Sequence, residues 1–172
     1  LDLKAILQEL RIREISGILF DLGLSSYQID DKSRGFSFLE DNLLDMRMDL
    51  SKSIDVRYIV NKYSEEDLWG IFSKYGEERY SRSIARAIVK ERKSEEIQTT
   101  KHLAKIITNI YAKHSKKRWF IHPATRVFQA LRIEVNSELE ICYQVLSRLD
   151  RTKVLAMNEQ YLYEHRRSTL EG

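Results

Sequence analysis

The sequence predicts an α/β fold in which most of the chain is helical. The 172 residues are 42% hydrophobic and 32% charged, so the chain carries enough apolar side chains to bury a core, and we do not expect disorder. An apolar run at residues 15–23 indicates one buried parallel strand. From about residue 55 onward, apolar residues recur with the period of an α-helix.

The elements before residue 54 are a short helix, the strand and a loop. The helix is predicted over residues 3–11, where four apolar side chains fall on one face: Leu3, Ile6, Leu7 and Leu10. The polar stretch at residues 24–53 predicts an extended loop. Because one strand cannot form a sheet, we expect its partners to come from outside this chain or from weakly patterned segments.

Start and stop signals divide the next part of the chain into helices. Residues 64–67 (Ser-Glu-Glu-Asp) resemble a capping box and open a predicted helix that ends near Tyr75, with Gly76 as its stop. Residues 77–93 predict a second helix. Thr99 or Thr100 opens a third. Its apolar side chains repeat at helical spacing: Leu103, Ile106, Ile107, Ile110 and Tyr111.

The last part of the chain continues the helical period beyond His122-Pro123. Ser137-x-x-Glu140 predicts that this helix restarts as a second one. Residues 150–172 show little pattern, apart from a weak strand signal at residues 154–157.

Composition excludes several classes of protein. No run approaches the roughly 18 consecutive apolar residues of a membrane span, and the first residues carry no secretory signal. The single Cys142 excludes an internal disulfide and a cysteine metal cluster, and four scattered histidines lead us to expect no metal site. Six scattered glycines form no phosphate-binding loop. We therefore expect no membrane partner and a reducing compartment, either the cytoplasm or the matrix of an organelle.

Positive charge is concentrated in one segment. Residues 79–118 contain 12 Lys or Arg and three Glu, a local net charge of +9, whereas the rest of the chain carries −6. In the predicted helix over residues 77–93, five cations fall within an arc of about 80°. They are Arg79, Arg82, Arg86, Lys90 and Lys93. The arrangement fits either a solvated helix face or a surface that binds a polyanion.

A second basic cluster precedes two aromatic residues. It covers residues 113–118 (KHSKKR) and includes Lys116, Lys117 and Arg118, followed by Trp119 and Phe120. Cations beside aromatic rings suit an RNA strand, because the cations contact phosphates and the rings stack on bases. A basic loop next to a core tryptophan explains the same residues equally well.

A polar motif directly follows the strand. In open α/β sheets, ligands bind beyond the carboxyl ends of the strands. Asp21 and Ser25 lie there, in the string Asp-Leu-Gly-Leu-Ser-Ser at residues 21–26. These residues form either a binding site or a polar turn that satisfies its own backbone.

Several long strings together resemble the RsmH/MraW family of S-adenosylmethionine-dependent 16S ribosomal RNA cytosine-N4 methyltransferases. They occur in the family's order at residues 17–30 (GILFDLGLSSYQID), 34–38 (RGFSF), 44–49 (LDMRMD), 75–88 (YGEERYSRSIARAI) and 122–140 (HPATRVFQALRIEVNSELE). The resemblance covers about residues 15–150.

The resemblance implies a Rossmann-like methyltransferase domain with an inserted all-helical domain that recognises the substrate. The implied divisions are residues 1–53 for part of the methyltransferase core, 54–121 for the insert, and 122–172 for the return to the core and a divergent tail. We expect 16S ribosomal RNA of the small subunit as the partner, and a homodimer is left open.

The resemblance also implies roles for individual residues. Asp21 and Gln28 would contact S-adenosylmethionine, and Asp21 or Ser25 would accept hydrogen bonds from the target amine. The loops that carry Arg34 and Arg47 would lie beside the cofactor and the target base. The basic helix and the KHSKKR cluster would contact RNA as parts of the insert.

Two parts of the family pattern have no counterpart in these 172 residues: the N-terminal glycine-rich cofactor loop with its ribose-binding acid, and the C-terminal FHSLEDR-type strand. We therefore expect the chain to correspond to the middle of a methyltransferase and to lack activity by itself. The competing hypotheses are a non-catalytic RNA-binding remnant or fragment, and a structural helical domain whose charge serves solubility.

Overall fold

Seven α-helices make up most of the part of the chain that the computed structural model describes, which is residues 3–12, 23–24, 34–114 and 120–147. The helices are α1 (Leu3–Glu9), α2 (Val56–Lys62), α3 (Glu65–Lys74), α4 (Ser81–Glu91), α5 (Thr100–His114), α6 (Ala124–Asn136) and α7 (Glu138–Ser147). The prediction of a mostly helical chain is confirmed. The strand predicted over residues 15–23 lies, except for Gly23, outside the described residues, and the Rossmann-like fold stays a prediction.

The chain divides into two compact units. One unit, Leu24–Ile141, contains α2 to α6 and the start of α7, and the other consists of Leu1–Gly23 and Cys142–Gly172. The first unit spans the divisions expected after residues 53 and 121, which stay predictions. None of the described helices combines the length and the apolar character that a bilayer-spanning helix needs.

The core of the larger unit forms where the apolar faces of its helices meet. Helix α3 packs against α4 and α6, α4 also contacts α5, and α2 contacts both α4 and α6. The fully buried side chains include Phe72, Ile59, Leu68, Ile84, Ile88, Leu103, Ile107 and Leu131. Two further buried residues, Leu44 and Met46, come from the loop that precedes α2. This loop is therefore packed into the core along its inner side.

Helix α3 begins as predicted but ends by a different mechanism. The Ser64 hydroxyl accepts a hydrogen bond from the Asp67 amide at 3.0 Å, and Asp67 binds the Ser64 amide in return. Gly76 does not take the left-handed conformation, whereas Glu77 does, with φ of 46°. A Cβ at Gly76 would lie 2.6 Å from the carbonyl oxygen of Arg126 in α6. Glycine is required there because α6 approaches the backbone closely.

Helix α4 is shorter than the predicted 77–93, since its first residue is Ser81 and its last is Glu91. Helix α5 begins at Thr100. The Thr99 hydroxyl accepts a hydrogen bond from the His102 amide at 3.3 Å, so Thr99 is the cap of the two predicted candidates.

Polar residues bound α6 at both ends. At its start, Nδ1 of His122 accepts a hydrogen bond from the Ala124 amide at 3.1 Å, and burial lowers the pKa of His122. At its end, Ser137 adopts a left-handed conformation with φ of 54° and separates α6 from α7. The predicted restart of the helix at Ser137 is confirmed.

Candidate nucleic-acid interface

The predicted cationic row on and beside α4 is exposed to solvent. We call it the basic face, and it comprises Arg79, Arg82, Arg86, Lys90 and Lys93. The inner side of α4 buries Ile84, Ala85 and Ile88 in the core. The strong separation of charged and apolar sides fixes the direction in which the basic face points.

Two residues of α3 lie against the basic face. The guanidinium carbon of Arg82 lies 5.3 Å from the ring centroid of Trp69, which is within the range of a cation–π contact. Nε of Arg86 lies 3.4 Å from a carboxylate oxygen of Glu65, and the two side chains are 68% and 38% exposed. Such an exposed pair is weak and screened by salt, so Arg86 can exchange Glu65 for another anion.

Tyr80, at the start of α4, belongs to a column of stacked groups. The Arg79 guanidinium lies 5.5 Å from the Tyr80 ring centroid, and the His114 ring stacks on Tyr80 at 4.7 Å. The Tyr111 ring meets Tyr80 edge-on at 4.9 Å. The Tyr80 ring is thus already packed against neighbours within the fold.

A buried carboxylate forms hydrogen bonds with two residues of this column. Glu78 is 3% exposed and accepts hydrogen bonds from the Tyr111 hydroxyl at 2.8 Å and from the Tyr80 amide at 2.8 Å. Burial, together with the bond to Glu78, raises the pKa of Tyr111, which keeps the hydroxyl protonated as a donor. The Glu78 carboxylate therefore has a structural role in orienting the start of α4.

A groove of about 870 Å³ runs between α4 and α5. Lysines and acids both line it, and Glu91, Glu95 and His102 each place one ligand atom within 4.8 Å of the others. Nε2 of His102 lies 3.3 Å from a carboxylate oxygen of Glu91. The cluster was not apparent from the sequence, because its members come from two helices and the turn between them. The expectation of no metal site stays an expectation.

The second arginine set lies in the segment of residues 34–52, which we call the clasped loop. A guanidinium nitrogen of Arg34 donates to the carbonyl oxygens of Arg47 and Met48, the latter at 3.2 Å. The Arg34 carbonyl in turn accepts from the Met46 amide at 2.8 Å. Gly35 has φ of +69°, and a Cβ there would lie 2.1 Å from the Leu43 carbonyl oxygen. Only glycine fits that position.

Arg47 forms a two-pronged ion pair inside the clasped loop. Its guanidinium donates to the two carboxylate oxygens of Asp45 at 2.7 and 2.8 Å, and also to the Lys52 carbonyl. Burial alone would raise the pKa of Asp45, but the hydrogen bonds and charge of Arg47 outweigh it and lower that pKa below its ordinary value. The RNA role expected for Arg34 and Arg47 stays a prediction, and both groups already have internal partners.

Asn136, at the end of α6, holds the clasped loop from the helix side. The residue is 4% exposed, and its side-chain amide donates to the Met46 carbonyl at 2.8 Å and accepts from the Met48 amide at 2.7 Å. Met46 sits between these two bonds with φ of 59°, in the left-handed region that favours glycine. The Asn136 amide therefore stabilises a backbone conformation that a methionine alone would not favour.

The residues expected to bind cofactor and to act in catalysis lie outside the described part of the chain. These are Asp21, Ser25 and Gln28. The same holds for Lys116, Lys117 and Arg118 of the KHSKKR cluster. Their roles stay predictions. Of the expected RNA-binding residues, the structure places Arg79, Arg82, Arg86 and Lys90 together on the basic face and puts Arg34 and Arg47 in the clasped loop.

Three residues at these sites were not predicted from the sequence: Trp69, Glu78 and Asn136. Trp69 follows Glu65 by one helical turn, so its position beside the basic face could have been derived only with the packing of α3 on α4 known. Glu78 and Asn136 are polar residues at helix ends, and nothing in their local pattern indicates burial. Asn136 lies within the string at residues 122–140 that carries the resemblance.

Comparison with known proteins identifies the family of this chain. Residues 1–159 match the MraW methylase family, and the chain belongs to that family. Curated relatives carry the name ribosomal RNA small subunit methyltransferase H. The protein from Sulfurihydrogenibium sp. is 50% identical over 142 residues, which is 81% of this chain and 47% of that relative. The protein from Desulfosudis oleivorans is 48% identical over 153 residues, or 88% of this chain and 49% of the relative.

A third relative, from Syntrophotalea carbinolica, is 51% identical over 148 residues, or 86% of this chain and 46% of the relative. The chain spans about half the length of the curated relatives it matches. The predicted resemblance to the RsmH/MraW family is confirmed.

Proposed function

We propose that this chain belongs to a protein that methylates the exocyclic N4 of a decoding-region cytidine in 16S ribosomal RNA with S-adenosylmethionine. The observation that carries the proposal is the match of residues 1–159 to a methylase family whose relatives near 50% identity are named for the small-subunit ribosomal RNA. Such a substrate places the protein in the cytoplasm, or in an organelle matrix, with the small ribosomal subunit as its partner.

The basic face supports the RNA part of the proposal. Exposed arginines and lysines without strong internal partners are available for phosphates, and phosphate contacts supply most of the affinity in nucleic-acid binding. Among the described residues, the one ionic partner of Arg86 is Glu65 in a weak contact, and the Arg82 guanidinium lies over an aromatic ring. Both can contact a polyanion without breaking a buried interaction.

The cofactor part of the proposal depends on Asp21 and Gln28. A carboxylate accepts hydrogen bonds from the amino and hydroxyl groups of S-adenosylmethionine, and an amide both donates and accepts, so this donor set fits the cofactor chemically. The bound cofactor supplies a methyl group on a sulfonium. The clasped loop begins six residues after Gln28, and its internal bonds would give that side of the site a fixed shape.

The proposed chemistry assigns one task to the protein's own acceptor. The N4 lone pair of cytosine is delocalised into the ring, so the amine is a poor nucleophile. An acceptor that takes an N–H hydrogen bond orients the amine, and the N4 proton passes to a carboxylate or to water as the new N–C bond forms and the bond from the methyl group to the sulfonium sulfur breaks. Asp21 and Ser25 are both candidates for this acceptor.

A methyl-transfer assay tests the proposal. The protein containing this chain is incubated with small-subunit RNA and labelled S-adenosylmethionine, and the nucleosides are separated after digestion. We expect N4-methylcytidine and a loss of at least about 100-fold for Asp21→Ala, because Asp21 is assigned to the cofactor in either case; Ser25→Ala should lose as much only if Ser25 is the acceptor. Methylation of a different base or atom would contradict the proposed specificity.

The exposed cations of the basic face favour a second candidate, an RNA-binding module without catalysis. A titration of this chain with a small-subunit RNA fragment over a salt series tests it. We expect a steep dependence of log affinity on log salt, and a shallower one for Arg82→Glu/Arg86→Glu, by about 0.7–0.9 for each lost phosphate contact. Lys62→Glu/Lys74→Glu, with the same charge change away from α4, is the control. Equal slopes for the two double variants would exclude the basic face as the surface that contacts the RNA phosphates.

A further inference from the structure

Trp69 is the exposed aromatic residue that lies on the basic face. It is 42% exposed on α3, whereas tryptophan is highly buried on average. The Arg82 guanidinium lies over the ring at 5.3 Å from its centroid. The indole therefore contributes less to the core than its size allows and is held at the surface beside a cation.

The packing of α3 on α4 places this ring within the row of cations. Glu65 and Trp69 are one turn apart on α3, and Arg82 and Arg86 are one turn apart on α4. The contacts pair Glu65 with Arg86 and Trp69 with Arg82, so the two helices meet in successive rungs. A strand whose phosphates follow the basic face would pass directly over the indole.

The other arginine–aromatic pair shows why Trp69 is the better stacking surface. Arg79 lies over Tyr80, but His114 stacks on the Tyr80 ring at 4.7 Å and Tyr111 meets it edge-on. No comparable ring contact joins Trp69 to another described residue. The Trp69–Arg82 pair is thus accessible to a planar ligand, whereas the Tyr80 ring is used within the fold.

We propose that Trp69 and Arg82 form a stacking position for one unpaired base of an RNA strand that the basic face holds by its phosphates. The inference rests on the RNA binding proposed above and adds that the bound RNA is single-stranded at this point. Aromatic rings and guanidinium planes both stack on bases that are not paired. A duplex hides its base faces and offers the same site only phosphates.

Fluorescence of a single indole tests the proposal. The chain has two tryptophans, so Trp119→Phe leaves Trp69 as the only one. This variant is titrated with an unstructured 12-nucleotide RNA and with a 12-base-pair RNA duplex, while anisotropy of a labelled RNA end reports binding independently. We expect the single strand to quench Trp69 emission and the duplex to bind with little quenching.

Substitution gives the second readout. Trp69→Ala should weaken single-strand binding by about 5-fold to 100-fold, whereas Trp69→Phe should recover most of the affinity. Tyr58→Ala is the matched control, because Tyr58 is 48% exposed on α2, away from the basic face. Since Trp69 is exposed, the variants should unfold at the same temperature as the parent.

The outcomes separate this inference from the proposed RNA binding. Binding by anisotropy with unchanged Trp69 emission and an unaffected Trp69→Ala variant would overturn the stacking position and leave the basic face intact. Equal quenching by strand and duplex would overturn the unpaired base. Failure of both RNAs to bind at low salt would overturn the proposed RNA binding itself and, with it, this inference, and would favour a protein partner for the exposed indole.

Discussion

The arginines of the basic face and those of the clasped loop use their guanidinium groups in opposite ways. Arg86 is 68% exposed and has one contact of 3.4 Å with an exposed glutamate. Arg47 is 18% exposed and binds both oxygens of Asp45 at 2.7 and 2.8 Å, in addition to a carbonyl of its own loop. A half-buried guanidinium with several hydrogen bonds is costly to release, whereas an exposed one with a single weak contact is available to a ligand.

A cationic side chain is available to a ligand only to the extent that the folded chain leaves its hydrogen-bond donors unused. Helix α4 has an apolar side that packs in the core and a charged side, the basic face, that is exposed to solvent. The clasped loop contains no α-helix and has only an isolated bridge between Leu43 and Thr99, so its arginines bind backbone carbonyls that a helix would satisfy internally. The loop therefore gains a fixed shape, and the helix face keeps free charge.

The largest expected effect is on the stability of the clasped loop. Asn136→Ala removes the two bonds from the buried amide to the loop, and a third to the Arg132 carbonyl, and leaves the Met46 carbonyl and the Met48 amide without their partner. We expect a loss of about 2–5 kcal/mol in the free energy of unfolding, measured by urea denaturation. Asn109→Ala, at an exposed asparagine of α5, is the matched control and should change stability by less than about 0.5 kcal/mol.

The outcome for Asn136→Ala also bears on the comparison. If the loop and the basic face are independent, the variant should bind RNA with an unchanged salt dependence at temperatures where it is folded. A stability equal to that of Asn109→Ala would show that the loop keeps its shape without the clamp, and that its arginines are free to move.

The helices could be predicted from the sequence because their signals are local. The capping box at Ser64, the apolar repeat of α5 and the break at Ser137 each depend on residues within one or two turns. The exposed cations of α4 follow from the same periodicity. These features needed no knowledge of what packs against what.

The internal use of Arg34 and Arg47 could not be predicted in this way. The clasped loop is held by Asn136, about 90 residues later in the chain, and by bonds to residues 98–100, and these contacts depend on how α5 and α6 pack. The need for glycine at position 76 likewise comes from the Arg126 carbonyl in another helix. Sequence patterns indicate faces and caps, but contacts between distant segments require the assembled core.

Two single substitutions, one in the clasped loop and one on the basic face, should have effects of intermediate size. Arg47→Gln should lower the free energy of unfolding by about 1–3 kcal/mol, because Asp45 and the Lys52 carbonyl lose a charged donor. Arg86→Gln should change it by less than about 0.5 kcal/mol. In RNA titrations the order should reverse, with a shallower salt dependence for Arg86→Gln only.

Urea denaturation and RNA titration of the same two proteins provide the check. An Arg47→Gln variant that keeps full stability but binds RNA with a shallower salt dependence would contradict the difference between the two sets of arginines. It would place Arg47 among the RNA contacts that the resemblance implies.

The smallest expected effect is a pH dependence that belongs to the clasped loop alone. The pKa of Asp45 is lowered in the folded chain, so its stabilising contribution is complete above the ordinary carboxyl value near 4 and is lost as the pH falls through the lower, folded value. The parent chain should therefore lose more stability than Arg47→Gln between about pH 5 and pH 2.5. The Asp49 pKa is also lowered, mainly by hydrogen bonds from Ser51 that both chains share, and to a smaller extent by the charge of Arg47, which Arg47→Gln removes.

Urea midpoints measured across this pH range test the point, and Asp45→Asn is the decisive background. An asparagine keeps an oxygen for the Arg47 amide but has no proton to gain, so the effect of Arg47→Gln on stability should depend on pH much less in that background, with only the small response of Asp49 left. An effect that still changes with acidity would mean that another carboxylate responds to Arg47. The clasped loop would then be part of a wider charge network, and its arginine would be less confined than the geometry of the Asp45 pair indicates.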